Sequence, residues 1–344
     1  MIVVDKVLYI YAITFFISTV IIYIFNKNNI LIDKISSSKH KNLQENTKNL
    51  PPLCGGIIIL ICSVLFFKDF FIVTLFGLFF LVIGIFSDSN KISSPLIRIF
   101  SQFIISFLFV ILSSSNIFDL RVDILNYFLE IKIISILFTV FCILILINGS
   151  NFLDGLNTLV LGYYILTCII LIYVSNNFNL NINPNISLLI VSLFVLYIFN
   201  FFGKVYLGDS GAYLIGFFIS FFVIDFSLKN TLVSPYFICF LLWYPAFENL
   251  FSILRRMTSK SRIDSADKQH LHHLIYGYFL QKNLIKSSYI NSLVSHLINF
   301  YNLVIFLFFS KFYLSTQFLI MGILLNVSVY LFLFFFLKKR VIKI

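Results

Sequence analysis

Residues Asn148 to Asn157 read N-G-S-N-F-L-D-G-L-N, a polar island set between two strongly apolar runs, Ile131–Ile147 and Leu156–Val174. Each run is long enough to cross most of a bilayer, whose hydrocarbon core takes about 20 helical residues. One or two polar residues suffice to end a membrane helix, yet these ten carry three Asn, one Asp, one Ser and two Gly. Amides and a carboxylate at membrane depth cost on the order of several kcal/mol unless they bind something or line a wet cavity. The island therefore reads as part of a site, against the plainer reading of a polar turn between two helices.

The rest of the chain agrees with a membrane setting. Of 344 residues, 60% are hydrophobic, 11% are charged and 45 are Phe. No soluble domain of this length hides so much apolar surface, and the unbroken runs lack the alternation of a membrane β-barrel. The expectation is an all-α, polytopic integral membrane protein, a single transmembrane domain over residues 1–344 with a cytoplasmic-facing site. About eleven spans are expected: 7–25, 56–67, 70–86, 99–115, 131–147, 156–174, 187–203, 211–228, 234–254, 291–310 and 317–337. The first lacks a small-residue cleavage site and reads as a retained span. Five scattered cysteines without C-x-x-C spacing read as small apolar residues. No internal repeat suggests the inverted halves of a transporter.

The alternating loops after odd-numbered spans, with the C-terminal tail, hold 19 of the 25 Lys and Arg; the other side holds 6. This asymmetry predicts an external N-terminus and a cytoplasmic C-terminus in an inner membrane. It also accounts for much of the net charge of +11, so no nucleic-acid partner is needed. The cytoplasmic loops, about 26–55, 87–98, 148–157, 204–211 and 255–290, carry every chemically suggestive motif. They bear Lys48 with Pro51-Pro52 and Gly55-Gly56; Asp88; the island; Gly208-Asp209-Ser210-Gly211; and Arg255, Arg256, Arg262 leading to His270-Leu271-His272-His273. Five polar loops on one face can converge.

Asp88, Asp154 and Asp209 each lie close to a helix end. Magnesium takes oxygen ligands, often one or two carboxylates completed by substrate phosphates. Gly208 and Gly211 would let backbone approach a phosphate at the next helix N-terminus, although G-D-x-G also makes ordinary turns. The three clustered histidines lack zinc spacing and suit an anion-binding loop; a solvated basic loop is the plain alternative. The glycines at 55–56 fit close helix packing as well as a phosphate. His296 reads as a packing residue and Glu248 as a structural charge partner.

These residues resemble the polyprenyl-phosphate N-acetylhexosamine-1-phosphate transferases, which include phospho-N-acetylmuramoyl-pentapeptide transferase and the enzymes that start O-antigen-type glycans. The likeness rests on N-x-x-N-x-x-D-G (Asn148, Asn151, Asp154, Gly155), the Gly208-Asp209 loop and H-x-H-H at 270–273. It implies transfer of a HexNAc-1-phosphate, GlcNAc-1-phosphate by default, from a UDP-HexNAc to undecaprenyl or another polyprenyl phosphate, with release of UMP. It further implies Asp88, Asp154 and Asp209 as the catalytic acids, with magnesium, or manganese in its place, on Asp209 and with Asp88 as second ligand or as positioner of the acceptor phosphate. Asn151, Asp154 and Asn157 would hold the nucleotide sugar, and Lys48, His272 and His273 would neutralise its diphosphate, with Asn148, Gly155, Arg262 and His270 in the same binding set. A homodimer is left open. Two positions depart from the family: Ser87 stands where an Asp usually precedes Asp88, and Asn157 where Asp is common. The rival reading is a transporter or lipid flippase with a midplane site, which predicts interrupted helices in paired halves.

Overall fold

The structure, a computed structural model, describes residues 2–32, 50–258, 269–282 and 287–341. Among these residues it is all helical apart from one isolated bridge, Ile32 to Pro52. In chain order the helices are α1 (Ile2–Lys27), α2 (Gly55–Phe66), α3 (Phe71–Asp88), α4 (Pro95–Ser113), α5 (Asp123–Leu129), α6 (Lys132–Leu153) and α7 (Leu159–Phe178). There follow α8 (Asn185–Phe201), α9 (Gly208–Lys229), α10 (Pro235–Leu241), α11 (Trp243–Thr258), α12 (Leu271–Lys282), α13 (Ser287–Phe309) and α14 (Thr316–Val341).

Eight of these are long and apolar enough to cross a membrane, and the bent pair α10–α11 makes a ninth. The expected count of eleven is not reached by length. The segments expected at 56–67 and 187–203 form α2 and α8, apolar helices of 12 and 17 residues. At 1.5 Å per residue, 12 residues cover only about 18 Å.

Helix α9 is the axis. It is apolar on every side, as a helix enclosed by others must be, and residues from Gly208 to Phe226 are almost all buried. Around it pack α2, α3 and α6. Small residues set these crossings, as in membrane bundles generally. A Cβ on Gly84 of α3 would lie 2.2 Å from the Cα of Ser210, and one on Gly56 of α2 would lie 2.7 Å from the Gly211 nitrogen. The outer helices instead turn large apolar side chains outward, among them Phe100, Leu112 and Phe332, as a hydrocarbon surround allows.

The span expected at 234–254 is broken, with α10 and α11 bent by 74°. Pro245 lacks an N–H and crowds the carbonyl four residues back, so a continuous helix is disfavoured there. The loosened backbone is not left bare: the Tyr163 hydroxyl donates to the Leu241 carbonyl at 2.8 Å, and the Tyr244 N–H reaches the same hydroxyl at 3.4 Å. Irregular backbone at membrane depth persists only when it is satisfied in this way. This is the one bent pair among the described residues, so the paired interruptions of the transporter reading are not met.

Candidate active site

The C-terminal ends of α3 and α6 and the N-termini of α9 and α12 meet at one end of the bundle. The polar island differs from a loop: Asn148 to Leu153 complete the last turns of α6, and the chain reverses only over 154–158. Thr158 sits at φ +67 and gives its N–H to Asn200 Oδ1 at 2.6 Å, while Asn200 Nδ2 donates to the Val205 carbonyl. Asn200 thus braces the turn against the strand of chain that leads into α9.

Asp88 is the last residue of α3, and its carboxylate lies across the start of α9. It accepts the N–H of Asp209 at 2.9 Å and that of Ser210 at 3.1 Å. Asp154 Oδ2 accepts the N–H of Gly208 at 3.1 Å. Two carboxylates therefore cap the N-terminus of α9, where its first amides lack helical partners and its dipole favours negative charge. This corrects the expectation that a phosphate would use that terminus: the amides are already taken. Gly208 adopts φ +71, and a Cβ there would stand 2.8 Å from Asp88 Oδ2, so glycine is required on both counts.

Asp209 itself points to a different group. Its Oδ2 forms an ion pair with Arg98 Nη1 at 3.1 Å and accepts the Ser87 hydroxyl; Arg98 Nη1 also donates to Ser87 Oγ at 2.8 Å. The Tyr213 hydroxyl lies 3.4 Å from the same oxygen. Asp209 Oδ1 accepts no hydrogen bond among the described residues. Arg98 and Asp209 are each about a quarter exposed, so the pair stays reachable. In the sequence Arg98 reads only as part of the basic bias of the side expected to be cytoplasmic. Its signal is position: it lies one turn inside α4 and is the one charged residue of that helix.

The histidines close the other flank. A Cβ on Gly155 would lie 2.5 Å from His273 Cε1 and 2.7 Å from His272 Nε2, so the island and the H-x-H-H motif are in direct contact. The rings of His270 and His272 stack at 5.6 Å, those of His272 and His273 lie 4.3 Å apart, and Phe152 packs on His270 at 5.1 Å. His272 is fully enclosed, and Tyr244 Oη approaches its Nδ1 at 3.5 Å. Burial first, then His273 and His270 beside it, hold His272 well below the usual histidine range. It is therefore a neutral hydrogen-bonding group rather than the cation expected, and its Nε2 has no hydrogen-bond partner among the described residues.

Other expected residues fare unevenly. Asn148 turns away from the site, its amide donating to Gln102 Oε1 and to the Leu144 carbonyl, both at 2.9 Å, and braces α6 against α4. Asn151 stands at the end of α6, and its carbonyl accepts the Asp154 N–H. Asn157 gives its N–H to Asn291 Oδ1 at 2.8 Å, which ties the turn to α13. Lys48 and Arg262 lie outside the described residues. Gly55 and Gly56 serve packing, pressed against Tyr206, Leu207 and Gly211. His296 meets the Tyr197 hydroxyl at 2.7 Å.

The sequence model described as Glycosyl transferase family 4 matches residues 70–227, which contain Asp88, Asp154 and Asp209. A phospho-N-acetylmuramoyl-pentapeptide-transferase of Dictyoglomus thermophilum is 31% identical over 183 residues, covering 50% of this chain and 58% of that protein. Its namesake in Dictyoglomus turgidum is 31% identical over 182 residues, 50% and 59% of the two chains. A probable undecaprenyl-phosphate N-acetylglucosaminyl 1-phosphate transferase of Bacillus subtilis is 27% identical over 149 residues, 42% of each. The chain spans a little over half the length of the first two relatives. Residues 70–227, which bring three acids to one end of an all-helical bundle, are thus similar to glycosyl transferase family 4.

Proposed function

We propose that this protein transfers a HexNAc-1-phosphate, GlcNAc-1-phosphate by default, from a UDP-sugar to a polyprenyl phosphate and releases UMP, as a first step of a lipid-linked envelope glycan. The observation that carries the reading is the meeting of Asp88, Asp154 and Asp209 at the start of α9, flanked by Arg98 on one side and by His272, His273 and Gly155 on the other. The site opens towards the cytoplasm, on the side that holds most Lys and Arg.

In this reading an acceptor phosphate oxygen forms a bond to the sugar-bearing phosphorus of the donor. The bond from that phosphorus to the bridging oxygen breaks, and UMP leaves with that oxygen. A phosphate monoester has a second pKa near ~6, so the acceptor is largely dianionic at neutral pH and needs no strong base. Ser87 in place of a second acid is then tolerable. What remains for the protein is positioning and charge neutralisation. Arg98 supplies a cation beside an apolar groove lined by Leu96, Ile97, Phe100, Phe103 and Leu144, which suits a phosphate on a hydrocarbon tail. His273, partly exposed beside Gly155, faces the diphosphate with the enclosed His272 packed behind it, and Asp154 and Asn151 face the nucleotide sugar from the end of α6.

Among the described residues no three His, Cys, Asp or Glu side chains gather closely enough to hold a metal by themselves. That donor set fits magnesium shared with substrate phosphates rather than caged by protein. Asp209, through Oδ1, would hold it, with Asp88 fixing the turn that presents Asp209. Bound there, magnesium (or manganese) would offset the charge of the diphosphate. The test is UMP release from a panel of UDP-sugars by washed membranes supplied with undecaprenyl phosphate. Release dependent on both substrates is expected; a flippase would release none.

A further inference from the structure

Glu248 is unused by the site as drawn, yet it is fully buried within α11. A carboxylate there is costly unless its oxygens are satisfied. Both are. Oε1 accepts His270 Nδ1 at 2.9 Å, and Oε2 accepts the Tyr330 hydroxyl, from α14, at 2.8 Å. A carboxylate only accepts, so both partners must donate, and His270 carries its proton on Nδ1. Arg255, about two turns further along α11, donates to the Gln269 carbonyl at 2.7 Å and lies over the rings of Phe251 and Phe334. The chain entering α12 is thereby held at two successive residues, by its backbone and by its ring.

We propose that Glu248, locked by Tyr330, is a positioning residue for the histidine motif. By fixing the tautomer and plane of His270, it fixes the ring that stacks on His272, and so the placement of His272 Nε2 and His273 against Gly155. The C-terminal helix, which also packs along α12, thus reaches the His270 ring through the Tyr330 hydroxyl, although α14 lies outside the stretch that matches the family. The effect falls on the nucleotide-sugar side of the site and leaves the Arg98 side alone. This inference rests on the transfer reading for its kinetic part only.

The test uses the full chain in detergent, with its histidines labelled with 15N and His270 assigned through His270→Asn. In the unaltered protein the His270 nitrogens should report the Nδ1–H form; in Glu248→Gln that signature should be lost. In the same variant the KM for the UDP-sugar should rise about tenfold, the scale of one charge-assisted hydrogen bond, with the KM for undecaprenyl phosphate unchanged. Tyr330→Phe, which removes one hydroxyl and keeps the ring, should shift both readouts in the same direction, and it decides the matter if Glu248→Gln does not fold. An unaltered His270 signature, or equal rises in both KM values, overturns the proposal. If the unaltered protein releases no UMP, the transfer reading fails, and the nitrogen signature alone judges Glu248.

Discussion

Asp209 Oδ2 is shared by a guanidinium and a serine hydroxyl, while Oδ1 accepts nothing among the described residues. The engaged oxygen orients the carboxylate and the other is left for a ligand. Asp209→Asn keeps the shape but removes the charge and places an NH2 where one of these oxygens stood. Turnover should fall by about 10²–10³, the usual scale for one lost electrostatic contact in the transition state, with the thermal midpoint little changed; full activity would exclude Asp209 as a ligand. His272 makes a second prediction. Its folded pKa lies below the free value of 6.5, so the unfolded chain binds the extra proton first as pH falls. Stability is then fully present above about 6.5 and declines below it. Thermal midpoints measured from pH 8 to pH 5 should drop below about pH 6.5, and the drop should be shallower in His272→Leu.

Between elements, what an added methyl group meets matters more than how close it comes. On Gly84 it would strike the backbone of Ser210, which cannot retreat without moving α9; on Gly155 it would strike the ring ends of His272 and His273, which can turn. Gly84→Ala should therefore destabilise the bundle by at least the ~1–3 kcal/mol typical of overpacking and lower its yield from membranes. Gly155→Ala should stay folded and lose catalytic efficiency, with the KM for the UDP-sugar raised. A Gly155→Ala variant of ordinary activity would separate the histidines from the reaction. The same logic explains α9: its N-terminus is fixed by Asp88 and Asp154 on two other helices, so three elements are registered by hydrogen bonds to one turn.

For the whole molecule, polar contacts divide between two ends. One end holds the acids, Arg98 and the histidines. The other is tied by structural bonds: Lys68 with Asn185, Asn181 with Asn230, and Arg121 with the carbonyls of Leu232 and Leu314. Lys91 and Lys204 are exposed at the site end and Leu232 at the other. In a background carrying Cys239→Ser, which removes the exposed native thiol, Lys91→Cys and Lys204→Cys should react with an impermeant maleimide only from the cytoplasmic side. Leu232→Cys should react from outside in intact cells. The reverse pattern would overturn both the orientation and the inward-facing site. Ser150, though part of the polar island, is unsuited to such labelling, because it is buried against the Tyr164 hydroxyl.

Composition and runs determined the class of fold, since 60% hydrophobic residues in long stretches leave only membrane helices able to satisfy their own backbone. Motif order was equally legible, because Asp88, Asp154, Asp209 and the histidines each stand at a polar break, and such breaks mark helix ends whatever the packing. What the sequence could not determine was which polar group answers which. Asp88 reads as an acid near a helix end, and only the packing of α3 shows that it also caps the amides of α9; Asn148 reads as a substrate contact until its amide is found on Gln102. Arg98 reads as charge bias and Glu248 as a structural charge partner of unnamed groups, because their partners lie 111 and 22 or 82 residues away in the chain. Periodicity and loop charge are local properties. A hydrogen bond between helices depends on crossing geometry, which here is set by glycines at the contacts of α2, α3 and α9, and only the assembled bundle fixes that.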